Sequence, residues 1–130
     1  YSSVRYNLQP DCHFEQKNSY LWFMNLIEKH IDSLNSLCRQ HMVKELYIFG
    51  SILTSRFSRD SDIDMLVQFE NIDILEYADN YFDFKEKLEK LLGREIDLIE
   101  NQAIRNPIFR KIVDREKKIV YDRKTAQASL

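Results

Sequence analysis

Three aspartates and a glycine–serine pair are the residues of this chain whose types and spacing could do chemistry. Gly50 and Ser51 follow an apolar run, and Asp62 comes after a spacer of ten residues, with Asp64 two positions further on. Asp97 lies in a later run that also has the composition of a strand. A small turn that can hold phosphate, together with carboxylates on neighbouring strands, suits metal-dependent transfer of a nucleotide.

The glycine–serine pair stands where a predicted strand ends and a predicted helix begins. Glycine lets the backbone take a positive φ or approach a ligand closely. The free amides that follow Ser51 could bind phosphate at the start of a helix. An ordinary strand-to-helix turn explains Gly50 and Ser51 equally well when they are taken alone. The hypothesis of a nucleotide site therefore depends on the aspartates that follow.

Asp62 and Asp64 are expected to share one face of a strand, because side chains two positions apart point the same way. At ~6 Å and an effective dielectric constant near 20, two such charges repel by about 3 kcal/mol. Asp97 on a neighbouring strand would add to this repulsion, and a divalent cation would relieve it. Magnesium prefers a few carboxylates with phosphate and water. A solvated strand face rich in aspartate is the alternative for the Asp62–Asp64 pair considered singly.

The elements that must position these residues alternate between helix and strand. In chain order the sequence predicts a helix over 18–41, a strand over 44–49, a short helix over 51–57 and a strand over 62–69. After a polar turn around Asn71 it predicts a helix that runs to Leu92, a strand over 94–100, a helix from 107 and a strand over 118–121. This alternation predicts an α/β fold, with a small mixed β-sheet flanked by helices. Gly93 is expected to cap the long helix, and Asn106 and Pro107 to begin the last one.

Apolar residues at helical and strand spacing predict which faces are buried. The expected core positions are Met24, Ile27, Ile31, Leu34 and Cys38 on the first helix, Ile63, Met65, Val67 and Phe69 on the second strand, Tyr77, Tyr81, Phe84, Leu88, Leu91 and Leu92 on the long helix, and Ile108, Phe109, Ile112 and Val113 on the last helix. The histidines His13, His30 and His41 have no partners at ligand spacing and are interpreted as surface or helix-face residues.

Length and composition limit the class of protein. The 130 residues predict one catalytic domain over 17–123, with an extension over 1–16 and a frayed tail over 124–130. A net charge of -2 argues against nucleic-acid binding through a broad basic surface. Cys12 and Cys38 follow no metal-ligand spacing, which fits a reduced compartment. No apolar run approaches the roughly 18 residues of a membrane span, and no signal peptide is visible, so a cytoplasmic protein is expected.

The span from Phe49 to Val67 resembles the signature of the polymerase-beta-type nucleotidyltransferase superfamily: an apolar strand, Gly-Ser, a spacer, Asp-x-Asp and a second apolar strand. The short spacer is similar to that of the minimal nucleotidyltransferase branch. The resemblance covers roughly residues 20–122 and includes the strand of Asp97. It implies the polymerase-beta-like nucleotidyltransferase fold.

The resemblance also implies a role for each residue of the motif. Gly50 and Ser51 would hold the triphosphate, and Asp62 and Asp64 would ligate two magnesium ions. Asp97 would ligate the catalytic ion and help to deprotonate the acceptor hydroxyl. The acceptor hydroxyl would then attack the α-phosphorus of the nucleotide, and pyrophosphate would leave. The resemblance implies that this nucleotide is ATP.

The sequence departs from the family pattern within the spacer. Many relatives carry an Arg-Gly step early in the spacer, where this chain has Thr54 and Ser55, with Arg56 one position beyond. Arg56 and Arg59 are the candidates for contact with the distal phosphates. Ordinary surface arginines are the alternative reading of both.

Minimal members of this family resemble antitoxins that pair with a HEPN-domain toxin and add AMP to its tyrosine. The resemblance therefore implies an antitoxin that adenylylates a HEPN-type toxin, with a homo- or hetero-oligomer as the assembly. The short chain is expected to need a partner protein to complete the site. One alternative is a non-catalytic module that binds a nucleotide or a toxin. Another is transfer to a small molecule such as an aminoglycoside, which usually needs an additional substrate-binding domain.

Overall fold

The computed structural model describes residues 19–128, and the predicted alternation of helices and strands is confirmed there. The elements are α1 (Ser19–Lys29), α2 (Ile31–Gln40), β1 (Val43–Phe49), a 3₁₀ turn (Gly50–Leu53), β2 (Ile63–Phe69), α3 (Ile74–Leu92), β3 (Ile96–Glu100), a second 3₁₀ turn (Asn101–Ala103), α4 (Pro107–Glu116), β4 (Lys118–Asp122) and α5 (Arg123–Ala128). The predicted extension over 1–16, with Cys12 and His13, lies outside the described residues.

The four strands form a small mixed sheet, as the sequence predicted. Their order is β3-β2-β1-β4, in which β1 is antiparallel to both β2 and β4. The strands β2 and β3 are parallel. A parallel pair needs a long crossover connection, and α3 supplies it. The parallel pair brings the two aspartate-bearing strands side by side.

The sheet is covered on both faces, which explains why the sequence of the central strand β2 is so apolar. Ile63, Met65, Val67 and Phe69 are buried at period two, as predicted, in the core that α1, α2 and α3 share with the sheet. Leu66 on the opposite face is buried as well, beneath Val113 of α4. This two-sided packing holds β2, and the aspartates at its start, in one position.

The prediction of one continuous first helix was wrong, because the chain bends at His30. The His30 amide donates to the Ile27 carbonyl at 3.0 Å, a tight i→i−3 turn that ends α1. The His30 carbonyl then accepts from Leu34 at 2.9 Å as α2 begins. The bend interrupts the predicted apolar stripe: Ile27 and Cys38 are buried as expected, but Ile31 is 40% exposed.

The interpretation of His41 as a surface residue was also wrong. His41 is buried, with Nδ1 2.9 Å from the Leu37 carbonyl oxygen and Nε2 2.6 Å from Asp83 Oδ2 on α3. Asn80 on the same helix donates to the His41 backbone carbonyl at 2.8 Å. The hydrogen bond from His41 holds the pKa of the Asp83 carboxyl below its ordinary value, and Lys87 adds to the effect. These contacts tie the end of α2 to the middle of α3.

Helix α4 begins as predicted but buries less than predicted. The Asn106 side chain accepts from the amides of Ile108 at 2.9 Å and Phe109 at 3.3 Å, and Pro107 is the first helical residue. Of the four apolar residues expected in the core, only Val113 is buried. Ile108 is 71% exposed and Ile112 40%. The helix covers the sheet through a single buried position, so its other apolar side chains remain on the surface.

One further expectation, the short helix after Gly50, needed correction. The helix predicted over 51–57 is only the 3₁₀ turn Gly50–Leu53, after which the chain runs through turns to Ile63. The first residues of the predicted tail, 124–128, lie in α5. Gly93 caps α3 in the left-handed conformation, with φ 71°, which confirms that prediction. None of the helices between residues 19 and 128 combines the length and apolar character needed to cross a bilayer.

Candidate active site

Strand register places the motif residues in one row across three strands. Asp64 on β2 is paired with Phe49 on β1, the residue immediately before Gly50. On its other side Asp64 is paired with Asp97 on the parallel strand β3. Asp62 lies just before β2 and is exposed. The structure therefore places the Gly-Ser turn beside Asp64 and Asp97 at one end of these strands.

Gly50 is required at its position for two separate physical reasons. Its φ of +80° lies in the left-handed region, where residues with a side chain are strained. A Cβ built on Gly50 would overlap Asp64 Oδ2 and lie 3.2 Å from Asp64 Cγ. The missing side chain therefore leaves the space that the Asp64 carboxylate occupies, and the glycine turn and the aspartate depend on each other.

The turn after Gly50 is stiffened by short hydrogen bonds. The Thr54 amide and its Oγ1 both donate to the Ser51 carbonyl, at 2.9 and 2.8 Å. The Arg56 amide donates to Thr54 Oγ1 at 3.1 Å. Thr54 thus closes the turn. Arg56 and Arg59 are exposed, and neither forms a salt bridge with a residue in the described part of the chain.

The charge on Asp64 is disfavoured by its surroundings. Burial is the largest cause and raises the pKa of this half-buried carboxyl, and the negative charges of Asp97 and Asp62 raise it further. Hydrogen bonding from the Ser51 backbone opposes these effects, and the resulting pKa is about 6. Asp64 therefore sits where a cation would stabilise its ionised form.

The aspartates fit a magnesium site in donor chemistry and in backbone placement. All three supply carboxylate oxygens, the donors that magnesium prefers. Asp64 and Asp97 are register neighbours, and the exposed Asp62 and Asp97 side chains can change rotamer freely. As they stand, no three His, Cys, Asp or Glu side chains among residues 19–128 are close enough to hold an ion. Gathering these oxygens around one ion requires rotation of the aspartate side chains.

Sequence reasoning missed one residue beside this site, Arg94. It follows the Gly93 cap and donates from Nη2 to the carbonyls of Ser58 at 3.0 Å and Ser61 at 2.7 Å. Ser61 directly precedes Asp62. No local pattern could have shown this contact, because Arg94 is 33 and 36 positions away from the two serines.

A family model described as polymerase beta, nucleotidyltransferase matches residues 32–126 of the chain. Among curated proteins, the protein adenylyltransferase MntA of Thermococcus cleftensis is 33% identical over 79 residues, which are 61% of this chain and 74% of that protein. The matched region includes the whole row of motif residues.

Solved structures show the same fold. A structure described as a candidate minimal nucleotidyltransferase has a TM-score of 0.59 and 30% identity, and the match covers 72% of this chain and 92% of that one. An MNT antitoxin in complex with a tri-AMPylated HEPN toxin, from Shewanella oneidensis, gives a TM-score of 0.50 at 17% identity, covering 78% of this chain and 76% of that chain. At that identity the second likeness concerns the fold alone.

Proposed function

The chain belongs to the polymerase beta nucleotidyltransferase family, and we propose that it transfers AMP from ATP to a hydroxyl group of a protein. The acceptor we propose is a tyrosine of a cognate HEPN-type toxin, which the modification would neutralise. A relative named protein adenylyltransferase supports the reaction. The AMPylated HEPN toxin bound to an antitoxin of the same fold supports the acceptor. Because ATP is the substrate, the proposal places the activity in the cytoplasm.

The observation that carries this proposal is the arrangement of Gly50 and Asp97 on either side of Asp64. The glycine keeps a side chain out of the space beside Asp64, and strand register sets Asp97 on the other side of it. A surface aspartate with no function would need neither the left-handed glycine nor a second carboxylate in register. Burial is the largest cause of the raised pKa of Asp64, and the neighbouring charges of Asp97 and Asp62 raise it further.

Each motif residue then has a role in the transfer. Asp62, Asp64 and Asp97 would hold magnesium, which when bound neutralises charge on the phosphates. The backbone at Gly50 and Ser51 would accommodate the triphosphate. Arg56, exposed and without a salt bridge to a described residue, would contact the distal phosphates; Arg59 is the second candidate.

The chemical step forms one bond to phosphorus, breaks another, and transfers one proton. The acceptor oxygen attacks the α-phosphorus, and the bond from that phosphorus to the bridging oxygen of pyrophosphate breaks. Asp97 would take the proton from the acceptor hydroxyl. It is exposed at the rim of the row, where a protein acceptor can reach it. The electron pair of the broken bond leaves with pyrophosphate.

Transfer of label from α-³²P-ATP tests this proposal. The native chain, magnesium and a candidate HEPN-type protein are compared with the same mixture containing Asp64→Asn. Asp79→Asn, an exposed aspartate on α3, is the matched control. We expect label on the acceptor with the native chain and the control only. Equal labelling by Asp64→Asn would refute the assigned chemistry, and replacing the acceptor tyrosines by phenylalanine identifies the modified residue.

The second candidate is a non-catalytic module that binds a nucleotide or a toxin. It is favoured by one observation: the aspartate side chains do not converge on a common point as they stand. In that case the chain would protect against the toxin without any label on it, and Asp64→Asn would protect equally well.

A further inference from the structure

Arg94 joins two parts of the chain that the sequence separates. It lies between α3 and β3, and its guanidinium donates to the carbonyls of Ser58 and Ser61, at 3.0 and 2.7 Å. These serines bound the segment 58–61, the Ser58–Ser61 turn, which leads directly into Asp62. A single side chain thus holds both ends of the turn that delivers the first aspartate of the motif.

Two aromatic rings hold the guanidinium in place. Its central carbon lies 4.8 Å from the centre of the Phe57 ring and 5.3 Å from that of the Trp22 ring. Phe57 is buried and Trp22 comes from α1. Stacking of this kind suits the flat guanidinium of arginine, whereas the ammonium of lysine is a compact point charge. Arg94 is therefore fixed by α1 and by the residue just before the turn.

The Ser58–Ser61 turn needs such an outside support. It contains no helix or strand, and the chain around it has only turns between Leu53 and Ile63. Within the turn, Ser61 N donates to the Ser58 carbonyl at 3.1 Å and Ser58 N donates to Ser61 Oγ at 3.0 Å. In the described part of the chain, its hydrogen bonds to other segments are those from Arg94. Without them the turn could pivot about its two ends.

We propose that Arg94 is a positioning residue for the aspartate set: by holding the Ser58 and Ser61 carbonyls it fixes where Asp62 stands relative to Asp64 and Asp97. This inference rests on the proposed function, since it concerns the same site. Arg94 acts through the chain, because it reaches Ser61 and not the carboxylates themselves. Its loss should therefore weaken metal binding and the chemical step, and leave the nucleotide contacts at Gly50 and Ser51 in place.

Manganese binding to the purified chain, without nucleotide, tests this inference independently of catalysis. The variants are Arg94→Gln and Arg94→Lys, with Arg115→Gln and Arg115→Lys as controls at an exposed arginine. Residues that orient metal ligands typically contribute 10- to 100-fold, so we expect a loss of roughly tenfold or more in Mn²⁺ affinity for Arg94→Gln. Arg94→Lys keeps the charge but lacks the planar fork, so it should restore thermal stability more than Mn²⁺ affinity.

Steady-state transfer assays on the same proteins give the second measurement. We expect kcat to fall with Mn²⁺ affinity, with a smaller change in KM for ATP. Unchanged Mn²⁺ affinity in both Arg94 variants, even with a lower melting temperature, would overturn the inference, and so would a native chain that binds no Mn²⁺. Where Arg94→Gln does not fold, Arg94→Lys decides. A native chain that binds Mn²⁺ but labels no acceptor contradicts the proposed function, while the Mn²⁺ affinities still decide on Arg94.

Discussion

Replacing Gly50 by alanine tests whether the turn and Asp64 are coupled as the structure indicates. The chain has two glycines, and both adopt positive φ, +80° at Gly50 and +71° at Gly93. Alanine in the left-handed region costs about 1–2 kcal/mol at either position. A Cβ at Gly93 would meet nothing within 4 Å, whereas one at Gly50 would overlap the Asp64 carboxylate. Gly93→Ala is therefore a matched control for backbone strain.

The collision at Gly50 adds a second cost that Gly93 does not have. Overpacking of this kind typically costs about 1–3 kcal/mol. We therefore expect Gly50→Ala to lower the free energy of unfolding by about 2–5 kcal/mol, against about 1–2 kcal/mol for Gly93→Ala. The effect of alanine on the unfolded chain is the same in both variants and cancels from the comparison.

Chemical denaturation of the metal-free protein measures these changes, and a double-mutant cycle locates their cause. The cycle compares Gly50→Ala, Asp64→Ala and the double variant. Asp64→Ala removes the overlapping carboxylate and leaves only its Cβ, 3.3 Å from the new methyl carbon. The double variant should therefore recover about 1 kcal/mol or more relative to additivity. Equal losses for the two glycine variants, or a coupling energy near zero, would refute the reasoning.

Three further predictions concern single side chains. The pKa of Asp64 is raised from 3.8 to about 6, so the stability of its neutral form is present below pH 4 and is lost as the pH rises through about 6. In metal-free buffer Asp64→Asn should have the same free energy of unfolding as the native chain at pH 4. At pH 8 it should be more stable by about 1 kcal/mol, after allowance for solvent screening of this half-exposed group. Equal stability at pH 8 would contradict the raised pKa of Asp64. His41→Ala removes the side-chain contacts to the Leu37 carbonyl and to Asp83 and leaves a cavity beside Phe84, while the backbone amide at position 41 still donates to Leu37. The variant should cost about 2–3 kcal/mol in denaturation, whereas a loss under about 0.5 kcal/mol would mean that the buried contacts contribute nothing. Asn106→Ala removes the cap of α4 and should cost about 1 kcal/mol in the same experiment, with Asn106→Asp retaining stability.

Short-range rules sufficed for the features that depend on neighbouring residues. The period-two apolar pattern from Ile63 to Phe69 predicted β2, because successive side chains of a strand point to opposite faces and one buried face therefore takes every second residue. Gly93 and Asn106 predicted helix ends, since each acts on backbone groups within four residues of itself. The motif around Gly50 and Asp64 predicted the family for the same reason: its residues lie close together in sequence and their chemistry is specific.

Only the tertiary structure decided features that join distant segments. The register of Asp64 with Asp97 depends on how β2 and β3 align, and strand composition leaves that open. Buried His41 is hydrogen-bonded to Asp83, 42 positions away, and Arg94 holds a turn more than 30 positions before it. Whether Ile108 and Ile112 are buried depends on how far α4 reaches over the sheet. Periodicity shows which face of a helix or strand is apolar and which is polar. Which residue each side chain then contacts is decided only when the helices and the sheet pack together.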